Sequence, residues 1–146
     1  ELWMRGPGMW DAYLSPWRTR AESTSDGWFA TGDLVERDAE GDVFWRGRSR
    51  SVVNVGGMKC FPEEVESVLD RHPAVRESLV RGEPHERWGM VPVASIVLRA
   101  GIAEPRAAEL SAWCRSSLAA FKVPVRFAFV PSLPRTASGK LSRRGG

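Results

Sequence analysis

A short apolar strand, a paired-glycine turn and a proline-led helix follow one another between Ser51 and Leu69, and that order restricts the fold more than any other part of the chain. Ser51 to Val55 is apolar, Gly56-Gly57 supplies a tight turn, and Met58 to Phe61 is extended. Pro62 then opens a helix, because at the first helical position its missing amide costs nothing and its fixed φ is already helical. Glu63 and Glu64 fall in the first turn, where the helix dipole favours carboxylates. Val65, Val68 and Leu69 recur at i, i+3 and i+4 and give one apolar face. His72-Pro73 is expected to end this helix.

The pattern continues in the same style. Val75 to Arg81 alternates like a half-buried strand, and Val91 to Leu98 reads as a buried one. Pro105 opens a second helix with Ala107, Leu110, Trp113, Cys114 and Leu118 on one side; Val125 to Val130 is a further alternating strand. Pro131 to Gly146 is a loop and tail rich in Ser, Gly and basic residues. Strand, helix, two strands, helix, strand predicts an α+β unit over 51–146, with helices covering one small sheet. Residues 1–50 differ: short strands and turns from Leu2 to Arg5, Trp28 to Ala30 and Leu34 to Val35, a helix expected from Ser15-Pro16 to about Thr24, and a hairpin returning through Val43-Phe44-Trp45. The boundary is placed at Arg50 and Ser51.

Composition removes several function classes. A chain of 146 residues with 42% hydrophobic and 27% charged residues is globular in balance. Its net charge of +3 comes from scattered basic residues, which suits a small phosphate-bearing ligand better than a nucleic-acid duplex, so no nucleic-acid partner is expected. Cys60 and Cys114 lie far apart with no histidine at metal spacing, so no metal site is expected. They read as reduced, partly buried thiols of a cytoplasmic protein, with a disulfide as the alternative. No apolar run approaches a membrane span. The chain opens at Glu1 without a methionine, and a fragment is expected.

Three local signals carry chemistry. Gly27-Trp28-Phe29-Ala30-Thr31-Gly32-Asp33 places a carboxylate beside a glycine at a strand end, where it could accept hydrogen bonds from a ribose diol; read blandly it is a turn. Gly47-Arg48-Ser49-Arg50-Ser51 runs into Gly56-Gly57-Met58-Lys59 and then Pro62-Glu63-Glu64-Val65-Glu66, either a basic linker and helix start or an arginine reaching a phosphate beside glycines that admit a ligand. Pro134-Arg135-Thr136-Ala137-Ser138-Gly139-Lys140-Leu141 is a basic tail or a lysine on a mobile loop. A phosphate-binding P-loop is rejected there: no glycine stands five residues before Gly139, and Leu141 stands where Ser or Thr must hold magnesium. The closing Arg143-Arg144-Gly145-Gly146 looks like a ubiquitin-type terminus, which nothing else supports.

In this order and spacing the three signals resemble the adenylate-forming superfamily of acyl-CoA synthetases, peptide-synthetase adenylation domains and beetle luciferases. The resemblance covers essentially the whole chain. Glu1-Leu2-Trp3-Met4-Arg5-Gly6-Pro7 is similar to the family's GELWVRGP strand, Gly27 to Asp33 to its GWxxTGD, Gly47 to Glu66 to its hinge and GG-x-x-x-x-P-x-E-V-E segment, and Pro134 to Arg143 to its PRTxSGKxxR. Phe61-Pro62 and Ser138-Gly139-Lys140 resemble CoA ligases more than peptide-synthetase domains, which carry Leu-Gly and Asn-Gly-Lys at those places.

The resemblance implies two half-reactions: a carboxylate attacks the α-phosphate of ATP to give an acyl-adenylate, and the thiol of CoA then displaces AMP. It implies that Asp33 binds the ribose hydroxyls, that Arg48 assists at ribose and phosphates, and that Lys140 enters the site during adenylation. Arg50 stands at the hinge position, where the family has Asp or Lys. Rotation there would exchange Lys140 for the Gly56-Gly57 turn, with Gly57, Lys59 and Trp88-Gly89 lining the thiol path. Residues 1–50 would be the end of a large adenylation domain and 51–146 its C-terminal lid. The phosphate loop, acyl pocket and magnesium-binding glutamate would lie upstream of Glu1, so the missing N-terminal domain is the implied partner, with ATP, magnesium and CoA as cofactors. The expected function is part of an ATP-dependent carboxylate–CoA ligase, inactive as this chain alone. The alternatives are the lid of an enzyme loading an acyl or amino acid onto a carrier-protein phosphopantetheine, and a non-catalytic interaction module.

Overall fold

The computed structural model describes residues 1–14 and 16–143; Ser15 and the Arg144-Gly145-Gly146 tail lie outside the described residues. The chain divides into two compact units, Glu1–Arg50 and Ser51–Gly146.

The first unit is built from two-stranded pieces. β1 (Trp3–Met4) pairs antiparallel with β4 (Phe29–Ala30), β2 (Ala12–Leu14) with β3 (Trp17–Thr19), and β5 (Asp33–Arg37) with β6 (Val43–Arg48). The helix expected from Ser15-Pro16 is corrected. Pro16 lies in the turn of the β2–β3 hairpin, and only the single turn α1 (Arg20–Ser23) is helical. The reason is local: the segment has no apolar stripe to bury, while Thr19 and Glu22 form a reciprocal capping box that starts a helix at Arg20. Arg20 also donates to the carbonyls of Met9 and Trp10, which fixes the turn from outside the helix.

The second unit holds a five-stranded sheet. Its centre is β10 (Gly89–Leu98), paired antiparallel with β9 (Val75–His85) and parallel with β11 (Arg126–Phe129). At Gly89, β10 also meets β7 (Val53–Val55), which pairs with β8 (Met58–Cys60) across the Gly56-Gly57 turn. α2 (Pro62–Leu69) and α3 (Ala107–Arg115) pack on one face, burying Val65, Leu69, Leu110 and Cys114 against Val80, Ala94 and Ile96. This is the expected α+β architecture, and the parallel β10–α3–β11 connection explains the helix between two strands that run the same way.

Several boundaries differ from the sequence reading. α3 begins at Ala107, past Pro105, with Arg106 extended as its N-cap, and it ends at Arg115, so Leu118 packs into the core from beyond the helix. α2 stops at Leu69, ahead of His72, because a turn through Asp70 follows and Trp113 Nε1 of α3 donates to the freed carbonyl of Val68 at 2.9 Å. β9 continues past Arg81 to His85 although Gly82 and Pro84 are strand breakers. Gly82 is required there: a Cβ would stand 2.9 Å from Met90 and 3.2 Å from both methyl groups of Val53. Cys60 and Cys114 are buried free thiols. Burial pushes them up to about 12 and about 11, so neither is a nucleophile at neutral pH.

Candidate functional site

In the first unit, Asp33 and Arg48 are directly opposed across β5 and β6, and Arg48 Nε stands 3.0 Å from Asp33 Oδ1. Trp45 Nε1 donates to the same oxygen at 3.0 Å. Residues 45 and 48 would face opposite sides of a regular strand. The register shifts between Leu34 and Val35, so that Leu34 faces Gly47 and Val35 faces Trp45; Arg46 is the extra residue of a bulge. The bulge turns Trp45 onto the side of Asp33, which the sequence pattern could not indicate. Gly47, at φ 146, sits within it.

The backbone around Asp33 is tied down from both sides. Its N–H donates to Thr31 Oγ1 at 3.0 Å, and that hydroxyl donates to the Leu2 carbonyl at 2.9 Å. Arg48 Nη1 donates to the Thr31 carbonyl at 3.0 Å, and Ser49 N–H to the Gly32 carbonyl at 2.8 Å. Gly32 has φ 75, the left-handed region that favours glycine. The carboxylate of Asp33 is thus held by Oδ1, while Oδ2 takes no hydrogen bond from the described residues. An oxygen pair so oriented, beside a guanidinium, suits a vicinal diol next to a phosphate.

In the second unit, the turn between β7 and β8 is seated on both sides. Gly56 N–H donates to the Trp88 carbonyl at 2.9 Å, and Gly57 N–H to Asn54 Oδ1 at 2.8 Å. A Cβ on Gly56 would stand 2.8 Å from the Trp88 ring, whereas one on Gly57 would meet nothing within 4 Å. The first glycine is therefore a close-packing position and the second an open one. Trp88 also borders an apolar cleft of about 350 Å³ with Val55, Met58 and Phe121. Lys59 faces Asn54 across the pair and is exposed. Asn54 was not singled out from the sequence, where it reads as one polar residue in an apolar strand.

Lys140 is exposed on a closed loop. Thr136 N–H donates to the Lys140 carbonyl, Gly139 N–H to the Thr136 carbonyl, each at 2.8 Å, and Ser142 N–H to the Pro134 carbonyl at 2.9 Å. Gly139 makes the turn at φ 79. Leu133 and Leu141 anchor the loop's two ends on Leu79 and Val97. Of the two readings of this segment, a basic tail or a mobile loop, residues 133–142 form a loop closed by its own hydrogen bonds and anchored at both ends, with Lys140 exposed beside the turn. Arg50, the last residue of the first unit, lies in a 3-10 turn over Ser49–Ser51 and is exposed.

The family described as AMP-binding enzyme C-terminal domain matches residues 64–140, just over half of the chain. The chain belongs to this family. The 2-succinylbenzoate–CoA ligase of Geobacillus kaustophilus is 41% identical to this AMP-binding enzyme C-terminal domain chain over 144 residues, covering 99% of it and 29% of the ligase. A fatty acid–acyl-carrier-protein ligase of Streptomyces coeruleorubidus is 42% identical over 124 residues, 85% of the chain and 24% of that protein. The o-succinylbenzoate CoA synthetase of Bacillus subtilis, solved with its acyl-adenylate intermediate, superposes with a TM-score of 0.84 at 39% identity, covering 95% of the chain and 28% of the synthetase. The chain spans less than a third of the length of the relatives it matches. Among the described residues no helix is long and apolar enough to cross a membrane, and no group of three or more His, Cys, Asp or Glu is arranged to hold a metal ion.

Proposed function

We propose that residues 51–146 are the C-terminal lid of an ATP-dependent carboxylate–CoA ligase and residues 1–50 the end of its adenylation domain. The observation that carries the reading is Lys140, an unpaired ammonium among the described residues at the tip of a loop closed by its own backbone hydrogen bonds. A lysine so presented supplies preorganised positive charge to the carboxylate and the α-phosphate as they combine. Asp33, backed by Arg48 and Trp45, holds the ribose diol of ATP. The Gly56-Gly57 turn, with Gly57 open, then offers a backbone surface against which a thiol-bearing arm can pass. Arg50 is the pivot between the two steps. CoA is the acceptor and a separate or preceding adenylation domain the partner.

The test is pyrophosphate release from ATP with magnesium, CoA and a panel of carboxylates that includes 2-succinylbenzoate. The chain alone is expected to release none. Supplied with the adenylation domain of the Geobacillus kaustophilus ligase, it is expected to restore release, and Lys140→Ala to lower it by about a hundredfold. Release by the chain alone, or no effect of Lys140→Ala in the restored enzyme, overturns the reading.

One observation favours a second acceptor. A carrier-protein ligase reaches 42% identity over 124 residues of this chain, against 41% over 144 for a CoA ligase. Acyl transfer to a phosphopantetheinylated carrier protein but not to free CoA would select it.

A further inference from the structure

Glu66 is an acidic residue, yet only 8% exposed. Its Oε1 accepts the Val80 N–H of β9 at 2.7 Å, and its Oε2 accepts from Arg143 Nη2. Glu63, one turn earlier on the same side of α2, brings Oε1 to 3.3 Å from the same Nη2, and neither of its buried carboxylate oxygens makes a hydrogen bond with the described residues. Two carboxylates thus face one guanidinium in a site largely closed to water. Removing the cation would leave two buried acids without a counter-charge, so that a proton must be taken up or the seat must open to water.

Arg143 follows Lys140 by three residues, and a chain that short spans at most about 10 Å. Whatever fixes Arg143 therefore limits where Lys140 can stand. The other end of the loop is held by a separate pair: Arg135 donates to Glu77 of β9 and, through Nη1, to the Gly139 carbonyl at 3.0 Å. Lys140 itself has no ion pair among the described residues that could hold it.

We infer that Arg143 is a positioning residue for Lys140, and that the Glu63–Glu66 pair of α2 is the seat that locks the 134–142 loop in the geometry adenylation needs. What Lys140 does rests on the function proposed above; that Arg143 orders its loop does not.

The test is residue-resolved amide hydrogen exchange on the 146-residue chain, read at Thr136, Gly139 and Ser142 and compared with the central amides of β9 and β10. Arg143→Met is expected to speed exchange at the three loop amides by about tenfold with the sheet amides unchanged, and Arg143→Lys to recover part of the protection. Glu66→Gln, which keeps an acceptor for Val80 but loses the charge, is expected to loosen the same three amides should Arg143→Met fail to fold. Lys140→Ala is expected to leave loop protection intact. Unchanged loop exchange in both Arg143→Met and Glu66→Gln overturns the inference. So does uniform acceleration across loop and sheet, since Arg143 would then hold the unit together without setting the loop. Failure of the ligase reading shows separately, as unimpaired pyrophosphate release by Lys140→Ala in the restored enzyme.

Discussion

The two units solve the folding problem by different means. Every buried apolar residue of the core clusters lies after Ser51. In residues 1–50 the one buried residue among those described is Gly47, and Leu14 and Trp17 are 85% and 66% exposed. The first unit is held in shape by turn chemistry, capping and side-chain-to-backbone hydrogen bonds such as those of Arg20 and Thr31. The second is held by apolar burial around a five-stranded sheet, with hydrogen-bonded charges at its margin. The lesson is that the Asp33 carboxylate is set by a bulge and a few polar contacts, whereas the loop that carries Lys140 is seated on a core through Leu133 and Leu141.

The largest expected effect tests that contrast directly. Leu69→Ala, in the fully buried centre of the second unit, should destabilise it by about 2–5 kcal/mol in denaturant titration. Trp17→Ala should change stability by less than about 0.5 kcal/mol. Equal losses would mean that the first unit has a core of its own.

Gly56→Ala sharpens the comparison inside the second unit. The new methyl would need φ 57 and would collide with the Trp88 ring, at a cost of about 1–3 kcal/mol with a shift in tryptophan emission. Gly57→Ala shares the positive φ but meets no neighbour, so its emission should stay unchanged. An emission shift in both would remove the distinction between a packed and an open glycine.

A smaller effect concerns Glu66. Burial raises its carboxyl from the ordinary 4.5 to about 7, against the Val80 N–H and Arg143, which favour the charged form; Glu63 and Asp70 face it as further acids. The folded chain therefore binds a proton that the unfolded chain has released between those values. The stability Glu66 contributes is full below about 4.5 and lost as pH rises through about 7. Glu66→Gln should flatten the fall in stability over that window. An unchanged slope would place the titration elsewhere.

The smallest expected effect belongs to the first unit. Trp45→Phe removes one donor to Asp33 on an exposed hairpin and should cost about 0.5 kcal/mol or less. Its sharper readout is the affinity of the restored enzyme for ATP, which should fall, because Arg48 alone would then orient the carboxylate. Unchanged affinity would make Trp45 a bystander.

Much of this was legible in the residues. Pro62 at the helix start, Gly56-Gly57 as the turn of β7 and β8, and the buried run of β10 are short-range signals, and each stands within a few residues of its expected place. Asp33 and Arg48 were each singled out from their motifs, and the pairing of β5 with β6 sets them opposite one another. The hairpin of β2 and β3 was missed because Pro16 marks a helix start and a turn equally well, and only the pairing of Ala12 with Thr19 decides between them.

By itself, then, the sequence determined what depends on neighbours along the chain: that Pro62 starts a helix, that Gly56-Gly57 turns between two strands, and that Lys140 sits on a glycine-flanked loop. Only the tertiary structure decided what depends on residues far apart. The bulge at Arg46 that turns Trp45 toward Asp33, the room that Gly82 leaves for Val53, and the seating of Arg143 between Glu63 and Glu66 are all of this kind. The physical reason is that periodicity and turn propensity act over a few residues. The cost of a buried charge or a close contact is settled by whatever packing brings to it, and for Arg143 and Glu66 that partner is 77 residues away.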